Sequence, residues 1–126
     1  MNGLHLLADL HGCSCRPEFL LAVAELEAYC VGICQRHGLT VMGRFFHQFA
    51  DPRGRAAGVT GAVVLAESHL AIHTWPEIAA VTLDVYVCNV NADNSGKARS
   101  LLAEAVAAFA PARVEQREVE RGRLRP

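Results

Sequence analysis

The chain changes its hydrophobic period several times, and each change marks an element. "GLHLLADL" (3–10) places Leu4, Leu6 and Ala8 on one side of an extended segment, the period of a strand. "RPEFLLAVAELEAYCVGICQRHG" (16–38) shifts to helical spacing, with Pro17 suited to the first turn and Gly38 to a C-terminal cap, so it reads as one long helix. "TVMGRFFHQF" (40–49) is a strand again, and the turn-rich "ADPRGRAAG" (50–58) is the clearest loop. Two apolar, β-branched strands follow, "VTGAVVLAE" (59–67) and "LAIHTW" (70–75), almost running into each other. In "AVTLDVYVC" (80–88) Val81, Leu83, Val85 and Val87 share one face, and Thr82, Asp84, Tyr86 and Cys88 share the other. "SGKARSLLAEAVAAFA" (95–110) carries Leu101, Leu102, Ala105, Val106 and Phe109 on one helical stripe, and Pro111 stops it. "RVEQREVER" (113–121) is a polar closing strand, expected at a sheet edge where charges guard against mispairing. The tail "ERGRLRP" (120–126) is expected to fray.

The order is β-α-β-β-β-β-α-β, and two helices are too few to cover both faces of a parallel sheet. The economical solution is an α+β fold: a two-layer sandwich of a mainly antiparallel sheet with both helices on one face. The uncovered face carries Asp84, Tyr86 and Cys88, a mixture that suits burial against a second copy, and a homodimer or higher assembly is expected. At 126 residues with 52% hydrophobic residues, the chain fits one domain with a sufficient core.

Charge narrows the partners. A net charge of −1 and a pI near 6.6 offer nothing to nucleic acid or an anionic membrane. No apolar run approaches the ~18 residues of a membrane span, and "MNGLHLLADLHG" lacks the features of a signal peptide. A cytoplasmic protein with reduced thiols is expected. Of the five cysteines, Cys13 and Cys15 ("CSC") and Cys30 and Cys34 ("CVGIC") resemble metal half-sites, but neither spacing is C-x2-C. Cys30 and Cys34 fall among Val23, Leu26 and Ile33 on the predicted helix, where small thiols pack as core. No metal site is assigned.

The unusual chemistry lies in "AESHLAIHTWPE" (66–77), where Glu67, Ser68, His69 and His73 follow the most apolar run of the chain. Four readings stand. Ser68 and the histidines are inert junction residues. His69 and His73, with Cys88, ligate a metal; an extended strand would set the two rings well apart. A histidine activates Ser68 or Cys88 for hydrolysis, although "AESHL" is not the Gly-flanked turn such a nucleophile needs. Finally, the Ser68 hydroxyl attacks the carbonyl of Glu67, a nearby base removes the serine α-proton, and the chain parts to leave a dehydroalanine that hydrolyses to a pyruvoyl group. That last route requires a constrained dry serine, a base and an oxyanion donor, and "VTGAVVLAESHLAIH" can supply all three.

The stretch "GVTGAVVLAESHLAIHTWPE" (58–77) resembles the signature of the short prokaryotic S-adenosylmethionine decarboxylases, a pyruvoyl-dependent family. The resemblance covers nearly the whole chain, through "GLHLLADLHGC", "HGLTVMG", "LDVYVC" and "VEQREVERG". It implies a homodimer of α+β protomers and self-cleavage before Ser68 into residues 1–67 and 68–126, the second headed by the pyruvoyl group. Ser68 is thereby implied as the cofactor precursor and His73 as the base of self-processing. Thr60 is implied as the assisting hydroxyl, and Cys88 as the acid that returns a proton to the substrate carbon. Glu67, Trp75 and Phe49 are expected to bind substrate. A Schiff base between the pyruvoyl ketone and the substrate amine would hold the electrons left by departing CO2, as pyridoxal phosphate does. The product would be decarboxylated S-adenosylmethionine, an aminopropyl donor for spermidine. The sulfonium and adenine favour aromatic surfaces, and Phe45, Phe46, Phe49, Trp75 and Tyr86 cluster around the signature, with Phe45 and Phe46 expected mostly as core.

Two departures bear on the pocket: the segment 49–61 is several residues longer than the family's compact link, and Asn89 stands where the family usually has Gly. They keep open a related L-ornithine or L-arginine decarboxylase, with Asp84, Glu77 or Asp51 pairing the distal cation. A non-catalytic dimer partner that never self-processes is the remaining alternative.

Overall fold

The alternation read in residues 80–88 runs through the neighbouring strands and builds one sheet. The computed structural model describes residues 2–90 and 92–125. Its strands are β1 (Gly3–His11), β2 (Val41–Ala50), β3 (Ala56–Leu65), β4 (Ser68–Trp75), β5 (Ala80–Cys88) and β6 (Arg113–Arg121). They lie in the order β2-β3-β4-β5-β1-β6, each neighbouring pair antiparallel. β6 is an edge, as its charge pattern predicts.

One face of the sheet is dry. Leu6 and Leu10 of β1, Val59 and Val63 of β3, Leu70 and Ile72 of β4, and the odd-numbered residues Val81–Val87 of β5 are buried there. The helices α1 (Pro17–Leu21), α2 (Val23–Arg36) and α3 (Ser95–Phe109) cover that face with Leu20, Leu26, Ile33, Leu101, Leu102 and Phe109. Truncating any of these large side chains to alanine costs about 2–5 kcal/mol. The α+β two-layer fold is therefore as expected. The other face lies open, with Phe45 at 72% and Val64 at 51% exposure. Phe46 packs against the core while Phe45 does not, which corrects the core expectation for Phe45. The pleat decides it, because alternate residues of β2 point to opposite faces.

The predicted single helix is broken at Ala22, whose backbone is extended (φ −113°, ψ 137°). The cause lies in β2. Gln48 accepts from Val23 N at 2.7 Å and donates to the carbonyls of Leu21 at 2.7 Å and Gly58 at 2.8 Å. One side-chain amide thus satisfies the backbone groups that the break exposes. At the C-terminus β6 runs to Arg121, so Glu120 and Arg121 of the tail expected to fray are in a strand; Gly122–Arg125 have no regular structure, and Pro126 lies outside the described residues. Cys30 and Cys34 are buried on α2, as packing residues. Among the described residues no helix is long and apolar enough to cross a membrane.

Candidate active site

β3 and β4 form a hairpin whose last pair is Leu65 and Ser68, leaving Ala66 and Glu67 as the turn. The sequence reading extended the strand to Glu67. Instead Glu67 takes φ 59°, a left-handed conformation that glycine adopts freely and that costs another residue about 1–2 kcal/mol. The peptide bond entering Ser68 therefore leaves a strained residue. Across the sheet, Cys88 N–H donates to Ser68 Oγ at 3.3 Å, so the end of β5 holds the hydroxyl in place.

The other end of β4 holds the second group of residues. Thr60 is paired with His73 in the β3–β4 register, and their Oγ1 and Nδ1 atoms are hydrogen-bonded on the open face. Next to His73, Thr74 turns inward. Its hydroxyl donates to Leu20 O at 2.7 Å and accepts from Val59 N at 2.9 Å, pinning β3, β4 and α1 together. A cavity of about 310 Å³ opens here, lined by Phe49, Ala57, Thr60, His73, Trp75 and Glu77 among others. Phe49 and Trp75, both expected to bind substrate, sit in its wall; Glu67 lies at the opposite end of β4.

Ser68 with Cys88, and Thr60 with His73, thus form two separate groups. Five residues of extended chain span about 16 Å, so one protomer does not bring His73 to Ser68. His69 and His73 share a face but stand about 13 Å apart on the same strand, an arrangement that does not make a joint metal site with Cys88. Glu77 is the lining residue that the sequence reading assigned only to the ornithine and arginine alternatives. Its signal was its position directly after Trp75 and Pro76, where a short 3-10 turn (Pro76–Ile78) swings it to the cavity.

The two departures are used locally. Asn89 accepts from Asn94 N at 2.8 Å and donates to Ser95 Oγ at 3.1 Å, organising the link into α3. Asp51 accepts from the amides of Arg53 and Arg55 at 2.9 Å and pairs with the Arg55 guanidinium. Those bonds, the Arg55 amide foremost, hold its carboxyl below the ordinary carboxylate range. The longer loop is thus a closed turn of its own.

Comparison with known proteins agrees with this geometry. The family model for S-adenosylmethionine decarboxylase matches residues 4–122. An S-adenosylmethionine decarboxylase proenzyme from Moorella thermoacetica is 36% identical over 98% of this chain and 90% of its own. One from Syntrophomonas wolfei is 42% identical over 68% of this chain and 63% of its own. The crystal structure of the adenosylmethionine decarboxylase from Aquifex aeolicus superposes with a TM-score of 0.81 at 32% identity, covering 98% of this chain and 92% of that one. A match over nearly the full length, carried by the same fold, shows that the chain belongs to the S-adenosylmethionine decarboxylase family.

Proposed function

We propose that this chain is a self-processing decarboxylase of S-adenosylmethionine, working as a homodimer whose two open faces complete each other's sites. The observation that carries the reading is the separation of two groups at opposite ends of β4, Ser68 with Cys88 and His73 with Thr60. A two-fold axis lying between two stacked faces and crossing the strands turns one copy end for end. Ser68 and Cys88 of one protomer then meet Thr60, His73 and the cavity of its partner. The apolar side chains exposed on this face, Phe45, Phe49, Val64, Trp75 and Val119, suit such burial.

Self-cleavage fits the residues present. Glu67 presents its carbonyl from a strained turn, and Cys88 N–H fixes the Ser68 hydroxyl that attacks it. With His73 Nδ1–H donating to Thr60 Oγ1, Nε2 keeps a lone pair for the Ser68 α-proton. The Ser68 oxygen leaves with the Glu67 carboxylate, giving fragment 1–67 and a dehydroalanine at residue 68, which water hydrolyses with loss of ammonia to leave the pyruvoyl group at the head of fragment 68–126. The pyruvoyl group so formed supplies a ketone that draws off the electrons released with CO2. Cys88, whose amide meets Ser68 Oγ, would hold the proton returned to the substrate carbon. Phe49 and Trp75 offer ring faces to adenine and sulfonium, and Glu77 offers a carboxylate to the sulfonium or to hydroxyl groups. A cation at the far end of ornithine or arginine has less to choose from, since Asp51 is committed to Arg55, and Asp84 to His5 and His69. The product, an aminopropyl donor, would serve polyamine synthesis in the cytoplasm.

Intact mass spectrometry tests cleavage: two fragments are expected from the wild type and one chain from Ser68→Ala. Carboxyl-labelled S-adenosylmethionine, ornithine and arginine test the substrate, with CO2 expected from the first. A wild-type chain that remains whole and inactive means a silent partner, and release from ornithine or arginine alone transfers the reading to those substrates.

A further inference from the structure

Across the middle of the open face, side chains from four strands form one run of hydrogen bonds. Arg121 Nη1 on β6 donates to His5 Nδ1 at 3.2 Å, and its guanidinium carbon lies 4.4 Å from the centre of the Tyr86 ring. A ring nitrogen that accepts from arginine carries no proton, so His5 keeps its proton on Nε2 and donates it to Asp84 Oδ2 at 2.5 Å. His69 Nε2 donates to the same carboxylate oxygen at 3.3 Å. The His69 ring is further enclosed by His5, edge-on, and Tyr86, tilted, each centroid at 5.8 Å. His69 is the residue that follows Ser68.

This arrangement gains its purpose when the chain is cut. In the whole chain Ser68 is tethered on both sides and its hydroxyl accepts from Cys88 N–H. Cleavage removes the Glu67 tether, and the Ser68 oxygen leaves with the Glu67 carboxylate, so that hydrogen bond goes too. What was the inside of a hairpin becomes a strand terminus, and termini fray unless tied down. Beside the register pairing of His69 with Tyr86, the His69 side chain, bound to Asp84, ties that terminus to β5.

Resting on the self-cleavage reading, we propose that Arg121, His5 and Asp84 are positioning residues that lock His69 and so hold the terminus made at Ser68 beside Cys88. None of the three touches the reacting atoms. They fix where the group headed by residue 68 stands relative to the thiol, and hence which carbon the thiol protonates. His5, His69 and Asp84 also bring their ligand atoms within 4.8 Å of one another, a separation open to a divalent cation. Here, however, the two ring protons and the carboxylate are already engaged with each other.

The test compares Asp84→Asn in two backgrounds, the self-cleaving chain and the uncut Ser68→Ala chain. Amide hydrogen exchange across residues 69–72 is expected to quicken roughly tenfold in the cut protein and to stay unchanged in the uncut one. Per processed site, kcat is expected to fall roughly tenfold to a hundredfold with little change in KM, and fewer turnovers should precede inactivation, because a proton delivered to the carbon of residue 68 instead of the substrate carbon would leave the amine on the enzyme. Arg121→Lys and His5→Gln should give smaller effects in the same direction, and His5→Gln carries the test should Asp84→Asn not fold. Equal acceleration in cut and uncut chains would reduce the network to ordinary packing and overturn the proposal, as would no acceleration in either. So would a stoichiometric divalent ion lost on substituting Asp84. A wild-type chain that stays whole removes the cleavage reading itself, which mass spectrometry shows independently of exchange.

Discussion

At Glu67 the chain places a side-chain-bearing residue in a backbone conformation that glycine would occupy without cost, directly before the bond proposed to break. Strain at such a position persists only where the rest of the fold imposes it. Glu67→Gly should therefore raise stability by up to about 1 kcal/mol, read as a small rise in melting temperature, while lengthening the half-time of cleavage followed by mass spectrometry. Faster cleavage with glycine would show that strain plays no part. Cys88→Ala should behave oppositely: turnover is lost, whereas thermal unfolding shifts little, because Cys88 is half-buried at the end of β5. Ser68, His73, Thr60 and Cys88 were singled out in the sequence by the family resemblance of residues 58–77 and of "LDVYVC", and the structure sets them in two pairs. Their division into two groups was not stated there, although it follows from a strand of 3.3 Å per residue once β4 is known to begin at Ser68.

Whole elements show the same boundary between local and distant causes. The period-two pattern of β5 and the polar pattern of β6 assigned faces and edge correctly, because each depends only on its own residues. The break at Ala22 was hidden because its cause, Gln48, lies 26 residues further on and acts through a side chain. Gln48→Ala should remove those bonds and leave partly buried backbone groups unsatisfied, costing about 1–3 kcal/mol, measurable by denaturant unfolding; a loss under 0.5 kcal/mol would mean water replaces the amide. The cavity end of β2 should loosen with it. On α2, burial pushes the Cys34 thiol up to about 11 and the Cys30 thiol higher still. Both stay protonated at neutral pH, so iodoacetamide should label Cys88 well before either, as peptide mapping would show. Early labelling of Cys30 would reveal opening of the helix layer.

For the whole molecule, the decisive expectation is complementation. Ser68→Ala keeps Thr60 and His73, while His73→Ala keeps Ser68 and Cys88. Neither variant alone should turn over substrate. Co-refolded in equal amounts they form mixed dimers with one complete site, which random pairing puts at about a quarter of wild-type activity. No recovery, with mixed dimers shown to be present, would mean that each site is built within one chain. The sheet order has a further consequence. Residues 1–67 supply β1, β2 and β3, and residues 68–126 supply β4, β5 and β6, yet in space the strands run β2-β3, then β4-β5, then β1, then β6. The two pieces are interlaced like the fingers of clasped hands, so a nick at residue 68 releases nothing. Pulling them apart means unzipping three ladders at once, and the pieces should travel together through every native column, parting only in denaturant.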